Sequence, residues 1–140
     1  MTESSLGPVQ IGVYQIIGSD SALLTLVDAV VDSVPEPTKL SKYVLIGESI
    51  ETPDNTFGSY GRTEVLTIHT YVEDTQAGSG WKRAKDINAR IVELLDEAEL
   101  TVSDRAFIYC HLDQTQTIHD PPWRHIATDF RIATEEAGQP

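Results

Sequence analysis

The side chains of this sequence with metal-binding or acid–base chemistry gather near its C-terminal end. His119, Asp120 and His125 offer two imidazoles and a carboxylate within a short stretch, which is a donor set that zinc accepts. Pro121 and Pro122 interrupt the stretch, and the chain has no His-Glu-x-x-His pattern, which sets two ligands on one helix face. A metal-dependent enzyme is therefore one hypothesis, and a turn with polar side chains is the interpretation that we favour.

The single cysteine, Cys110, lies next to His111 in a stretch that alternates like a β-strand. Neighbouring side chains of a strand point to opposite faces, so these two cannot act together as nucleophile and base. Cys110 falls in step with Ile108 and Leu112, which predicts a small buried side chain and not a catalytic thiol. One cysteine also excludes an intramolecular disulfide and a thiolate metal cluster.

A short glycine-containing stretch, Gly78-Ser79-Gly80, stands before a predicted helix, where a phosphate-binding loop would stand. It lacks the Gly-Lys-Ser/Thr ending of such loops, and the Gly-x-Ser-x-Gly pattern that presents a nucleophilic serine does not occur in the chain. We interpret the stretch as a linker. The sequence thus predicts no catalytic residue, no metal site and no cofactor.

The predicted helix Trp81–Glu97 carries its charges in the order that the helix dipole disfavours. Its N-terminal turns are basic and its C-terminal end is acidic; the residues are Lys82, Arg83, Lys85, Glu93, Asp96 and Glu97. One interpretation is a solvated face, because each misplaced charge costs little. The other is a contact between the basic end of one subunit and the acidic end of the next. Such a head-to-tail contact closes into a ring when the rotation fits.

Apolar periodicity and turn residues divide the chain into short elements. Helices are predicted at Pro8–Ile17, Ala22–Val27 and Trp81–Glu97, and strands at Tyr43–Glu48, Gly61–Val72, Phe107–Thr117 and Trp123–Ala133. Val30–Val34 is a short extended candidate, and Ser49–Tyr60 and Glu73–Gly80 are expected to be loops.

Strands joined by short connections pair antiparallel. The simplest assembly is an α+β fold with a roughly four-stranded antiparallel sheet and helices packed on one face, in the order helix, short helix, strand, strand, helix, strand, strand. We expect one domain over residues 8–134, a flexible leader over 1–7 and a polar tail over 135–140. The uncovered sheet face, half polar and half aromatic, would carry Thr67, His69, Tyr71, Tyr109, His111, His125 and Arg131.

The charge balance restricts the partners of the chain. Lys and Arg number 10 and Asp and Glu 22, so the 140 residues carry a net charge of −12. This balance disfavours tight binding to a nucleic-acid backbone or to an anionic membrane. The N-terminal residues are polar, and no apolar run approaches the ~20 residues that span a bilayer, so we expect neither a signal peptide nor a transmembrane helix.

Several stretches, taken in order, resemble one protein family. They are Val31–Glu36, Tyr43–Glu48, Leu66–Tyr71, Ala84–Ile91, Leu100–Val102 and Ile126–Ile132, within a match from Ser21 to Thr134. The set is similar to the tail completion proteins of long-tailed phages, also described as head-to-tail joining or tail terminator-like proteins.

The resemblance implies a small α+β subunit that assembles as a ring, often a hexamer, caps the tail tube and joins it to the connector of the DNA-filled head. It implies a virion protein, made in the host cytoplasm, without catalysis, metal or cofactor. Its partners would be further copies of itself, the tail tube protein and the connector proteins. DNA would pass through the lumen without specific binding, and an acidic lumen would repel its phosphates.

The two long loops would have a use in such a ring. Thr52–Gly61 and Glu73–Gly80 would become ordered on a neighbouring subunit or on tail protein. Phe57 and Tyr60 would then be anchors in an otherwise polar loop, although packing over the sheet edge explains them equally well. The alternative function is a small intracellular module that binds a protein or a ligand on the half-aromatic sheet face.

Overall fold

The computed structural model of the protein describes residues 3–34, 40–55, 60–74 and 80–136. Within these ranges it contains three helices, which are α1 (Leu6–Ile17), α2 (Ser21–Leu26) and α3 (Gly80–Leu95). It also contains five strands, which are β1 (Ala29–Val31), β2 (Lys42–Pro53), β3 (Gly61–Glu73), β4 (Arg105–Asp120) and β5 (Trp123–Glu136). The chain is a mixed α+β fold, as its sequence predicts.

The strands form one sheet in the order β1–β2–β3–β5–β4. The four long strands pair antiparallel, as expected, but β1 lies parallel to β2 at one edge, with Val30 opposite Val44. The prediction of four strands, all antiparallel, was therefore wrong. β1 has only three residues, and a parallel partner is reached through a crossover and not a tight turn, so the pairing left no local pattern in the sequence.

The long strands extend further than their apolar patterns. β2 continues past an irregularity between Ile46 and Ser49 as far as Pro53, so Ser49–Pro53 is strand and not the predicted loop. β5 extends to Glu136 because the end of the strand still pairs with the starts of β3 and β4. These extensions are stabilised by backbone pairing more than by burial. The apolar periodicity of the sequence therefore does not reveal them. The domain boundaries at residues 8 and 134 stay a prediction.

β4 contains an irregularity that its sequence does not reveal. The register with β5 shifts between Phe107 and Tyr109 and again between Leu112 and Gln114. Cys110 is buried, as predicted, but Ile108 and Leu112, which were expected beside it, are exposed. A register shift inserts an unpaired residue and turns the strand locally, which takes Ile108 out of the buried row.

The core lies between the helices and one face of the sheet. α3 contributes the apolar stripe that its periodicity predicts, which is Ala84, Ile87, Ile91 and Leu95. β3 and β5 contribute every second residue, including Leu66, Ile68, Ile126, Phe130 and Ile132. Their alternate side chains point to the opposite face, which no helix of the described ranges covers and which we call the open face.

One end of the core holds a buried carboxyl group. Glu64 is 1% exposed, and its Oε1 accepts a hydrogen bond from the Ser5 hydroxyl at 3.0 Å. The Ser5 backbone N–H donates to Glu51 at 2.5 Å, so residues 3–5 are tied across this end of the sheet. Burial raises the pKa of Glu64 to about 7.

Glu64→Gln should remove a pH dependence of stability. Between its ordinary pKa of 4.5 and its folded pKa of about 7, Glu64 holds a proton in the folded chain that the unfolded chain has released. The free energy of unfolding of the wild type should therefore fall relative to Glu64→Gln as pH rises through this window, by up to about 3 kcal/mol. Urea unfolding at pH 5 and pH 8 measures the difference.

Glu93→Gln, at an exposed position of α3, is the matched control. Its free energy of unfolding should keep the pH dependence of the wild type. A difference between the wild type and Glu64→Gln that is equal at both pH values would contradict the prediction.

Candidate assembly surfaces

The basic end of α3 is partly engaged within the subunit. Lys82 forms an ion pair with Asp86 at 3.0 Å, and Arg83 donates a hydrogen bond to the Leu26 carbonyl oxygen at 3.5 Å. Lys85 is exposed, and in the described part of the chain it has neither an ion pair nor a side-chain hydrogen bond. Exposed pairs of this kind stabilise a fold by roughly 0–1 kcal/mol. These basic side chains can therefore exchange their partners at little cost in stability.

α3 ends at Leu95 and not at Glu97 as predicted, and the acidic residues that follow it, which with Glu93 we call the acidic end of α3, reach the edge strand β4. Asp96 accepts the backbone N–H of Leu112 at 2.8 Å, and Glu97 lies 3.0 Å from Nδ1 of His111. The His111 ring is stacked on Tyr109, with centroids 4.5 Å apart. The ligand atoms of Asp96, Glu97 and His111 lie within 4.8 Å of one another, and all three residues are exposed. These contacts fix the helix end against the sheet.

Glu93, the third acidic residue of that end, belongs to a second cluster. It lies 3.0 Å from Arg90, whose guanidinium also binds Asp20 through two hydrogen bonds of 2.9 and 2.7 Å. The hydrogen bond from Arg90, together with the backbone N–H of Leu23, lowers the pKa of Asp20 to about 2. Because Asp20 caps α2, this cluster joins α2 to α3.

The predicted loop anchors are described only in part. Tyr60 is 41% exposed, and its carbonyl oxygen accepts the backbone N–H of Glu136 at 3.0 Å. Phe57 lies outside the described residues, as do Gly78 and Ser79 of the predicted linker. The role of Phe57 and Tyr60 as anchors therefore stays a prediction.

The three side chains of the hypothetical metal site, His119, Asp120 and His125, do not come together, in agreement with the favoured interpretation of a polar turn. His119 pairs with Arg124 and Ile118 pairs with His125, so His119 and His125 point to opposite faces of the sheet. Asp120 alone approaches His125, with Oδ2 at 3.2 Å from Nδ1. Burial also raises the pKa of the Cys110 thiol to about 12, which is the reverse of what an activated thiol needs.

The open face instead holds a chain of four polar side chains, one from each long strand. His69 Nδ1 lies 2.7 Å from His125 Nε2, and His69 Nε2 lies 2.7 Å from Glu48 Oε1. Asp120 lies at the other end of the chain, beside His125. The sequence placed both histidines on this face, as the structure confirms. It missed Glu48, because the irregularity in β2 changes the face to which that residue points.

Gly47 makes room for this arrangement. A Cβ atom at this position would lie 2.6 Å from Cδ2 of His69 and 2.9 Å from the carbonyl oxygen of Thr67. Neither distance is compatible with a normal contact, so only glycine lets the imidazole lie against the β2 backbone. A glycine inside a strand is a signal of close approach that the sequence already carried.

Aromatic rings cover one end of the chain of polar side chains. Tyr71 stacks on His125 at 4.2 Å and on Tyr43 at 5.0 Å, and Trp123 meets Tyr43 edge-on at 5.5 Å. Tyr43 and His125 are each only 6% exposed. Burial, followed by the neighbouring His69, lowers the pKa of His125. These rings therefore tie β2, β3 and β5 together at one end of the sheet.

Gly47→Ala should destabilise the fold by about 1–3 kcal/mol, because the added methyl group forces His69 away from its seat. Urea unfolding at pH 8 measures the loss. Gly7→Ala is the matched control, since no atom lies within 4 Å of a Cβ there. Equal stability of the two variants would show that the seat of His69 contributes nothing.

His125→Gln should flatten the acid side of the stability profile. The pKa of His125 is lowered in the folded protein, so the unfolded chain takes up its proton first as pH falls below about 6.5. Wild-type stability should therefore drop more steeply between pH 7.5 and 5.5 than that of His125→Gln. His119→Gln, at an exposed position, is the control and should keep the wild-type slope. Parallel slopes for all three proteins would count against this assignment.

Comparison with known proteins identifies the family. The family model described as "Tail completion protein gp17" matches residues 12–135. A solved structure titled "Virion of native gene transfer agent (GTA) particle" contains a chain with the same fold, at a TM-score of 0.83 and 23% identity over 96% of this chain and 99% of that one. No curated protein matches.

The helices of the described ranges are too short or too polar to cross a membrane. The family match extends over most of the chain, from α1 to the end of β5. This protein therefore belongs to the tail completion protein gp17 family and is a component of the virion.

Proposed function

We propose that this protein completes the phage tail and joins it to the head connector, as one subunit of a ring around the DNA passage. The observation that carries the proposal is the family match over residues 12–135. The full-length likeness of its fold to a chain of a gene transfer agent virion supports it. The proposed ring has six copies, and its partners are the tail tube protein and the connector proteins.

The proposed role is passive and involves no catalysis. The thiol of Cys110 is buried, with its pKa raised to about 12. His119 points away from His125, so the pair cannot hold one metal ion. The histidine cluster on the open face is stacked among tyrosines and tied between strands, which suits a structural element. The function then lies in the shape and charge of the surface.

The charged ends of α3 are the proposed sites of subunit contact. Lys85 is exposed at the basic end, and the exposed pairs around Lys82 and Glu97 exchange partners at little cost. Phe57 and Tyr60 are proposed as further contacts with a neighbour or with tail protein. We also propose that the wall of the lumen is acidic, in keeping with the net charge of −12.

The alternative of a binding module on the open face has less support. Its strongest feature was the aromatic content of that face, but the rings pack mainly on one another. Tyr43 and His125 are each 6% exposed, so they offer little surface to a ligand.

Particles made without this chain should show filled heads with unattached tails, or tails of uncontrolled length, by electron microscopy. Supplying the wild type should restore joined particles. Lys85→Glu should restore fewer, because it reverses the exposed charge at the basic end of α3. Arg131→Glu makes the same change of charge on the exposed surface of the sheet and is the matched control. Intact, infectious or transducing particles without the chain would overturn the proposed function.

A further inference from the structure

The sheet has two free edges, at opposite ends of its strand order. β4, with 16 residues, forms one edge, and β1 forms the other. In the described part of the chain, no strand pairs with the outer side of either one. The backbone N–H and C=O groups of an edge strand form a template for pairing with a further strand.

Beyond its two register irregularities and the contact of Asp96 with the Leu112 backbone, the β4 edge has little of the protection that proteins usually give to such a template. Residues 111–117 are all exposed, and the stretch Gln114–Ile118 contains no charge, no proline and no glycine. Charges and prolines are among the devices that normally block natural edge strands. Since each copy of the chain carries a net charge of −12, an uncharged strip is also where two copies approach with the least repulsion.

The β1 edge has an apolar groove beside it. The groove lies between α1 and β1, has a volume of about 530 Å³, and is lined by Ile11, Tyr14, Val30 and Val31 among others. Eight large hydrophobic side chains are exposed in the described ranges. Four of them flank the two free edges: Ile11 and Tyr14 at the groove, and Ile108 and Leu112 on β4.

We infer that β4 of one copy pairs with β1 of the next, so that the sheet continues from subunit to subunit. β4 runs opposite to β5, and β1 runs in the same direction as β2 and β5, so the joined strands would be antiparallel. The inference rests on the proposed ring. Because the two surfaces differ, the contact is heterologous, which is the type that closes into rings.

Charges of opposite sign lie near the two edges, although Asp32, which lines the groove beside β1, is acidic as well. Asp96 and Glu97 lie against β4 through Leu112 and His111. Arg83 donates a hydrogen bond to Leu26, which lies three residues before β1 begins at Ala29. Joining the edges therefore sets the acidic end of α3 in one copy and the basic end of α3 in its neighbour on the two sides of the same seam.

Disulfide trapping tests the contact. Three chains would each carry Val31→Cys on β1 and one of Gln114→Cys, Gln116→Cys or Ile118→Cys on β4, which together scan the register. At least one should give a ladder of covalent oligomers, about tenfold faster than chance collision because docked cysteines have a high effective concentration. The native Cys110 is 1% exposed and adds no background.

The controls separate this contact from others. Gln116→Cys combined with Ala89→Cys, an exposed position of α3, should form no ladder. Single-cysteine chains should form no covalent oligomers, and disulfide-linked dimers of Gln116→Cys alone would overturn the inference in favour of β4 paired with β4. Unchanged urea midpoints verify the fold of each variant, and Gln116→Lys should independently abolish oligomers seen by native mass spectrometry.

The ladder also tests the proposed ring separately. A ladder that stops at a closed oligomer supports both ideas. A ladder without a stop supports the contact and contradicts the ring. Closed oligomers of the wild type without any cross-linking would leave the proposed ring intact and overturn the pairing of β4 with β1. No ladder and no oligomer, for the isolated chain or on tail tubes, would overturn both.

Discussion

The structure depends on the pairing of β3 with β5, which extends over all 13 residues of β3. This register fixes both faces of the sheet at once. It sets Leu66 opposite Phe130 on the side of α3, and Tyr71 opposite His125 on the open face. Because side chains alternate strictly along a strand, a slip of one residue would send the core residues to the solvent and the histidines into the core.

The strongest parts of the fold were readable because burial repeats with the period of the element. The stripe of α3 and the alternation of Leu66, Ile68, Ile126 and Phe130 are such cases. β1 was expected only as a short extended segment, and its pairing in the sheet was missed because three residues carry no period and its partner lies across a crossover. Ser49–Pro53 was missed because its one large apolar residue, Ile50, is exposed and the stretch is held by backbone pairing.

The site was predictable as a set of residues but not as a set of partners. His69 and His125 could be placed on the open face by counting alternate positions. Glu48 could not be added, since the irregularity in β2 that turns it there leaves no mark besides Gly47. The position of His119 could not be predicted for a similar reason. The face of the sheet to which it points depends on the register of β4 with β5. Ion pairs between distant elements, such as Arg90 with Asp20, follow from packing alone.

The interior and the surface of this chain serve different ends. Hydrophobic burial dominates stability, while the exposed ion pairs around α3 add little to it. Their residues are therefore free to be selected for contacts between molecules. This division suits the proposed role as part of a particle, in which the sheet would be a rigid frame and specificity would lie in its edges and in the charges beside them.

The backbone N–H of Glu3 lies 2.9 Å from the carboxylate of Glu136, so the first and last described residues meet at one pole of the sheet. Trp123 lies at the opposite pole, about 40 Å away along the 14 residues of β5. A gold cluster or a fluorescent protein attached beside Glu3 or beside Glu136 would mark the same pole. In micrographs of intact particles, such a marker would therefore report which way the subunit is oriented along the tail axis. It would leave the aromatic rings at the opposite pole, around Trp123, uncovered.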